Sequence, residues 1–510
     1  MIGSITSIAR LIGIARTFAR HDALFPLERM GVTPVIVSVA KLVSRRAAPG
    51  RPGERLAAAL EELGPTFIKL GQALSVRPDL VGDAIADDLS ALQDRLPPFP
   101  GATAREIIEQ ELETPVGELY RHFDETPVAA ASIAQVHFAE TPDGDMVAVK
   151  ILRPGIEARF RQDIDLFLWL SRLLERTRPA LRRLRPLEVV RTFEASVNIE
   201  MDLRLEAAAA SELGENSEHD NGFRVPKIDW VRTGRRVMTL ERIEGVRIDD
   251  LAALAEAGFE PRDILRRSAE SFFNQVFRDG FFHADIHPGN MFVAPDGTLC
   301  PVDFGIMGRL DRKTRNYLAD MLIGFLDRDY KRVAEVHFEA GYVPARKSVG
   351  AFTQAVRSIG EPILGKPLHE ISLARLLAQL FQVTETFEME TQPQLLLLQK
   401  TMLVAEGVGR TLDPSINMWM LARPLIEEWV IANRGPEARL RDMVGDTVSK
   451  LERLPQLLGR AEAVAEALSG NERLSSGYRH ESESSPGFFG SNSILYVLIA
   501  VIAVLLIANL

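Results

Sequence analysis

The chain has 510 residues, 46% of them hydrophobic and 25% charged, with a formal net charge of -10. That length allows a large core and several compact units, and the acidic balance excludes a global basic field for nucleic acid. A single cysteine, Cys300, excludes an internal disulfide framework and a Cys-rich zinc site, and suits a reducing compartment.

The N-terminus carries no charge before its apolar part and no clear cleavage site, so a secretory signal is not expected. Arg10, Arg16 and Arg20, interspersed with Ile and Leu, fit either a basic helix at a membrane interface or a helix docked on the protein's own core. Residues 1–117 read as a helical extension: Leu56, Leu60 and Leu63 recur at helical spacing, residues 81–92 do the same, and LPPFPG at 96–101 breaks the pattern. Residues 136–152, VHFAETPDGDMVAVKIL, predict strand, turn and strand, with Asp143 and Gly144 at the turn. Long helices follow over 156–215. Their Arg-rich stretch at 172–185 fits contact with anionic headgroups or a solvated helix end. Short strands are expected at 225–231 and 237–241, closing a strand-rich unit over 118–245. The pattern is then mostly helical over 246–435, interrupted by a second hairpin in MFVAPDGTLCPVDFG, where Cys300 reads as a small apolar filler. Residues 436–492 read as tail and linker. The charge-free segment 494–510, ILYVLIAVIAVLLIANL, predicts a membrane anchor over 493–510. Arg473 and Arg479 precede it and no Lys or Arg follows, which places the bulk of the chain on the cytoplasmic side.

Two segments carry the chemistry. In HADIHPGN (283–290), Asp285 stands where a kinase's catalytic loop orients the acceptor, and Asn290 stands where it holds magnesium; Asp303 of the DFG at 303–305 is the second magnesium ligand. Hard oxygen donors of this kind suit Mg2+ beside triphosphate oxygens, and a hairpin between the motifs would bring them together. His283 and His287 also invite a zinc reading, but Pro288 and Gly289 oppose a helix there and no third soft ligand is near. His283 is expected instead to brace the loop through its ring hydrogen bonds. Lys150 ends the strand-like VAVK as a phosphate-pairing lysine does, and Glu206 is the candidate carboxylate to hold it. One feature departs from the kinase pattern. Where a Gly-rich turn is expected, the chain reads Val128, Ala129, Ala130, Ala131, Ser132, Ile133, Ala134, Gln135, Val136. Alanine keeps its N–H for a phosphate, but its Cβ restricts the turn.

On these residues the chain resembles the UbiB family, the atypical kinase-like proteins of ubiquinone biosynthesis. AAASIAQVH (129–137) matches that family's alanine-rich loop, Lys69, Leu70, Gly71 and Gln72 its KxGQ motif, and Glu200, Met201 and Asp202 its ExD motif; QKTMLVAEGVGRTLDP (399–414) resembles its C-terminal lobe. The resemblance covers residues 56–419. It implies an α+β, protein kinase-like two-lobe fold whose N-terminal helical extension lies over the active site, to which the apolar tail adds a C-terminal transmembrane helix. Lys69 and Gln72 would point into the cleft, with Glu200 and Asp202 facing them. The expected cofactors are ATP and Mg2+. The expected function is a membrane-anchored atypical kinase or ATPase supporting ubiquinone (coenzyme Q) biosynthesis at the inner (cytoplasmic) membrane. Its expected partners are membrane lipids, ubiquinone precursors and other ubiquinone-biosynthesis proteins, with no nucleic acid. The chain departs from the family in showing one apolar C-terminal segment where bacterial members often carry two. Two other readings stay open. A small-molecule phosphotransferase of aminoglycoside or choline kinase type fits HADIHPGN equally well, although KLGQ and the alanine-rich loop argue against it. A non-catalytic nucleotide-binding scaffold is opposed by the filled catalytic positions.

Overall fold

The computed structural model describes residues 10, 13–14, 16–23, 50–75, 82–90, 92, 96–177, 186–362, 379, 382–384, 386–389, 392–413 and 423–430. Near the N-terminus three helices pack together: α1 (Pro52–Leu63), α2 (Pro65–Ser75) and α3 (Asp83–Ser90). Leu56, Leu60 and Leu63 of α1 share one core with Phe67, Leu70 and Leu74 of α2 and Leu89 of α3, the apolar stripe that the leucine spacing predicts. Gly64 joins α1 to α2 at φ +101, a conformation that a side chain would strain. The helical residues 16–20 and Ile14 lie on this core: Ile14 and Phe18 are fully buried, and Arg10 Nε donates to the buried Asp163 Oδ1 at 2.8 Å. Of the two readings of the N-terminal segment, the structure takes the docked one.

Helix α4 (Gly101–Leu112) and the short α5 (Val116–Leu119) lead into a five-stranded antiparallel sheet. Its strands are β1 (His122–Phe123), β2 (Ala129–Ala130), β3 (Ala134–Glu140), β4 (Met146–Leu152) and β5 (Val237–Glu241). Strands β3 and β4 form the expected hairpin, with Val136 opposite Lys150 and Gly144 at φ +97 in the turn. Their β-branched residues alternate, so Val147, Val149 and Ile151 face Ile107, Ile108 and Tyr120. Between β4 and β5 run α6 (Ile156–Thr177), α7 (Pro186–Glu200) and α8 (Leu203–Asn216).

The strand expected at 225–231 does not form. Pro226 has no N–H for a ladder, and the Asp229 side chain accepts from the N–H groups of Val231 and Arg232, capping a 3-10 turn at Trp230–Arg232. Only a single bridge, Ile228 to Leu240, remains of it.

The C-terminal part is mostly helical. It contains β6 (Val246–Arg247), α9 (Leu251–Glu256), α10 (Pro261–Phe273), β7 (Phe281–His283), β8 (Met291–Val293), β9 (Leu299–Pro301) and β10 (Met307–Arg309). Helices α11 (Arg312–Leu326), α12 (Tyr330–Glu339), α13 (Val349–Gly360) and α14 (Pro393–Leu412) follow. The second hairpin forms as expected, β8 against β9 with Gly297 at φ +80, and Cys300 is fully buried in β9. Burial pushes the Cys300 thiol up to about 11, so it stays an inert filler. Strand β10 pairs with β7 in the register Met307 to His283, folding the two motif segments side by side. Mixed helix and sheet in this order make a kinase-like fold. Among the described residues no helix is long and apolar enough to cross a membrane. The apolar segment 494–510, the linker before it and residues 178–185 of the Arg-rich stretch lie outside the described residues.

Candidate active site

The site forms where β4, α8 and the loops after β7 and β9 converge. Lys150, at position five of β4, points its Nζ to Glu206 Oε1 at 2.6 Å and to Asp303 Oδ1 at 3.4 Å. Glu206 lies in the first turn of α8, where a carboxylate suits the helix dipole, and its Oε1 also accepts the Phe304 N–H at 3.3 Å. Asp303 turns its Oδ1 to the Gly305 N–H at 3.0 Å and keeps 47% of its side chain open to the cleft. One ammonium therefore serves two carboxylates. Burial works to lower the Lys150 ammonium, but Asp303 and Glu206 outweigh it and hold it charged, well above the usual lysine range. Burial likewise works against Asp303, but Lys150, the Gly305 N–H and the charge of Lys69 keep it well below the usual carboxylate range. Glu206 is the most enclosed of the three; burial pushes it up, and the Lys150 charge only partly offsets this.

The catalytic loop is braced from behind by His283. Its Nδ1 accepts the Asp285 N–H at 3.1 Å, so its Nε2 carries the proton and donates to the Asp303 carbonyl. Burial pushes this imidazole down, which keeps it neutral. The His283 N–H in turn donates to Gln275 Oε1 at 3.0 Å, from a turn of π-helix at Asn274–Asp279. Asn290 is tied in twice: its Nδ2 donates to the Asp285 carbonyl at 3.4 Å, and its own carbonyl accepts from the Val302 N–H at 3.0 Å. Sequence and geometry thus bring Asp285, Asn290 and Asp303 to one place. His287 turns its Nδ1 to the Gly289 N–H at 3.1 Å, a local turn bond. Among the described residues no cluster of His, Cys, Asp and Glu could hold a metal by itself. Two hard oxygen donors, from Asp303 and Asn290, suit Mg2+ that completes its shell with phosphate and water oxygens.

The alanine-rich loop is a tight hairpin. Ala129 and Ala130 of β2 pair with Val136 and Gln135 of β3, and the Ala131 N–H donates to the Ala134 carbonyl at 2.8 Å, with Ser132 and Ile133 at the tip. No residue of this loop has positive φ, so the turn does not need glycine, and alanine fits it without strain. Val128 is exposed; Ser132, Ile133 and Ala134 are buried. The Gln135 side chain is fully buried. It pairs with the main chain of Phe99, accepting from its N–H at 3.0 Å and donating to its carbonyl at 3.2 Å. Arg153, just after β4, donates to the Ala131 carbonyl (2.8 Å), the Pro97 carbonyl (2.9 Å) and the Leu96 carbonyl (3.2 Å). The LPPFP segment is therefore a strap pinned over the loop.

Of the covering residues, Lys69 on α2 forms an ion pair with Glu200 at 2.8 Å, both largely buried. Glu200 ends α7, and Met201 plugs into the core. Asp202 does not join Lys69. It caps α8, accepting from the Arg204 N–H at 3.2 Å, and pairs with the Arg204 guanidinium at 2.6 Å. That geometry corrects the expectation that Glu200 and Asp202 both face Lys69: a short acid at a helix N-cap is taken by the helix's own N–H groups. Gln72 is half-buried on the same helix. Gly71 between them packs closely, since a Cβ there would push on the terminal methyl groups of Leu60 and Leu92.

Two residues at the site escaped the sequence reading. Arg153 is one. The other is Lys400 on α14, whose Nζ stands 3.3 Å from Asp285 Oδ1. It lies inside QKTMLVAEGVGRTLDP, but its spacing there signals only an amphipathic helix.

Comparison with known proteins bears on this site. Residues 91–337 match the ABC1 atypical kinase-like domain, and residues 356–417 match the UbiB helical domain. The "Probable protein kinase UbiB" of Marinobacter nauticus is 43% identical over 462 residues, 89% of this chain and 84% of the relative. The protein of that name from Azotobacter vinelandii is 44% identical over 429 residues, covering 83% of this chain and 79% of the relative. Among solved structures, the complex of Rv3197 with erythromycin from Mycobacterium tuberculosis is similar at 26% identity and a TM-score of 0.51, over 77% of this chain and 97% of that one.

Proposed function

The chain belongs to the UbiB family of kinase-like proteins, and on that premise we propose that it binds Mg·ATP between β4 and the HADIHPGN loop and transfers or hydrolyses the γ-phosphoryl group in support of ubiquinone biosynthesis. The observation that carries this reading is Lys150, held charged between Glu206 at 2.6 Å and Asp303 at 3.4 Å. A bare lysine at a strand end has no reason to be clamped by two acids. A lysine that receives phosphate oxygens needs that clamp.

Each residue then has a task. Lys150 meets the phosphates, and the 128–136 hairpin, whose Val136 lies opposite Lys150, borders them on the sheet side. Asn290 and Asp303 would hold Mg2+, which when bound neutralises charge on the phosphate oxygens. Asp285 takes the proton of the acceptor, a water or a hydroxyl. The acceptor oxygen bonds to the γ-phosphorus, the bridging oxygen leaves on ADP with the electron pair of the broken bond, and Asp285 returns the proton to solvent. Lys69, Glu200 and Gln72 cover the cleft and favour a small or lipid-borne acceptor over a protein chain. In this proposal the segment 494–510 anchors the protein in the inner membrane with the catalytic part on the cytoplasmic side, where membrane lipids, ubiquinone precursors and other proteins of the same biosynthesis meet it.

Asp303→Asn tests the reading. Mg2+-dependent nucleotide turnover is expected to fall at least about a hundredfold, the usual cost of losing a group that stabilises transition-state charge. Turnover equal to wild type would overturn it. A deletion strain with normal ubiquinone would overturn the pathway assignment alone.

A further inference from the structure

Asp303 and Asp285 are each faced by a lysine, and the two lysines come from different parts of the chain. Asp303 has Lys150 of β4. Asp285 has Lys400 of α14, which lies within the stretch matched to the UbiB helical domain. The loop HADIHPGN contains neither Lys nor Arg, so the cation at its acid is brought from a residue 115 positions away.

Helix α14 is held firmly where it delivers that cation. Thr401, the next residue, is fully buried, and its hydroxyl lies 3.1 Å from the Ala284 carbonyl and 2.8 Å from the Leu397 carbonyl. Ala284 is the residue just before Asp285. Leu398, Val408 and Leu412 pack in one core with Phe281 and Phe282, just before the HADIHPGN loop, and with Phe304 of the DFG. Lys400 and Asp285 themselves stay 29% and 33% exposed on the cleft side. An ion pair this open contributes little to folding. A weak pair on a rigid mount needs a reason other than stability.

Electrostatics supplies one. A terminal phosphoryl group brought to Asp285 sets a second anion beside its carboxylate, and like charges at contact distance repel. We infer that Lys400 is the cation that allows Asp285 and the terminal phosphoryl group to share the site. It acts through Asp285 and is therefore a positioning residue, contributed to the kinase-like cleft by the helical segment. This inference rests on the Mg·ATP reading above.

The test measures binding in the full chain, by calorimetry with Mg2+, for ADP and for a non-hydrolysable ATP analogue. Lys400→Met is expected to weaken the analogue about tenfold and to leave ADP within about twofold. Lys400→Arg, which keeps the charge, is expected to recover most of that loss. In an Asp285→Asn background, where the carboxylate repulsion is already gone, Lys400→Met is expected to cost less than about threefold. Equal losses for both nucleotides, no loss, or an undiminished loss in the Asp285→Asn background would each overturn the inference. A melting temperature that falls together with both affinities would assign Lys400 to folding and overturn it too; Lys400→Gln provides the same comparison should the Met variant not fold. Wild-type protein that binds both nucleotides without turnover counts against the enzymatic reading and leaves this comparison intact, whereas wild type that binds neither sinks both.

Discussion

An ammonium enclosed with two carboxylates leaves one net negative charge to be carried, and the environment decides which acid carries it. Asp303, open to the cleft and held by Lys150 and the Gly305 N–H, is the stable anion; Glu206, enclosed in α8, is the strained one. Lys150→Met removes the one cation that favours the ionised form of Glu206 and leaves it only the Phe304 N–H. At pH 8 it should destabilise the protein by about 3 kcal/mol, as breaking a buried pair does. The sign of the pH effect follows from linkage. A folded-state carboxyl raised above its ordinary 4.5 contributes stability that is present below that value and lost as pH rises through the raised one. Lys150→Met raises it further, so the variant should gain stability relative to wild type between pH 8 and pH 5. Urea midpoints at the two pH values check this, and a gap between variant and wild type that does not narrow on acidification would refute it. At this scale the sequence is a good guide where motif and contact coincide. Lys150, Glu206 and Asp303 were expected together and lie together. Lys400 was not, because a lysine on an amphipathic helix looks like any solvated lysine until tertiary packing gives it a neighbour. Asp202 misled in the opposite direction: its motif position suggested Lys69, while the local demand of the α8 N-terminus and of Arg204 took it.

At the level of elements, the β2–β3 hairpin and the strap form one device. Arg153 binds the carbonyls of Ala131, Pro97 and Leu96, and Gln135 closes a two-bond pair with Phe99, then donates to His137 Nε2 at 2.7 Å. His137 completes the chain by donating Nδ1–H to the Asp124 carbonyl at 2.8 Å. A loop of alanines without positive φ gains its shape from these external bonds, where a glycine-rich loop would gain freedom instead. Arg153→Ala should therefore loosen the loop before it unfolds the sheet. The expected result is a stability loss of about 1–3 kcal/mol, the cost of leaving carbonyls unsatisfied. It should come with faster amide hydrogen exchange at residues 131–134 than at residues 147–151. Exchange that rises equally over both segments would mean global destabilisation and would defeat the prediction. The hairpin turn at Asp143 and Gly144 was legible because turn chemistry is local. The strap was not, because Pro-rich residues announce a break in helix and say nothing of what the broken segment lies against.

Across the molecule, three imidazoles lie in three separate packed regions. His137 sits in the sheet core, His283 behind the catalytic loop, and His337 on α12, donating to the Val333 carbonyl at 2.7 Å and packed edge-on against Phe352. Burial pushes all three below the ordinary 6.5. Below pH 6.5 the unfolded chain therefore takes up protons that the folded chain refuses, and stability falls as pH drops from 6.5 toward the depressed values. Glu206 and Glu406, raised by burial, work against this in an overlapping window. The net slope is thus a difference, and only a variant isolates one contributor. His337→Met keeps an apolar side chain in the α12 core and removes one titrating group far from the nucleotide cleft. Its stability between pH 6.5 and pH 5 should fall less steeply than wild type, by up to about 1.4 kcal/mol per pH unit, the value for one proton. Urea titrations across that range measure the two slopes. Parallel curves would mean that His337 takes its proton in the folded state as readily as in the unfolded one, and would refute the prediction. The same logic gives His283 a cost beyond stability. Its protonation would place the ring's second proton on Nδ1, remove the acceptor of the Asp285 N–H, and so loosen the catalytic loop.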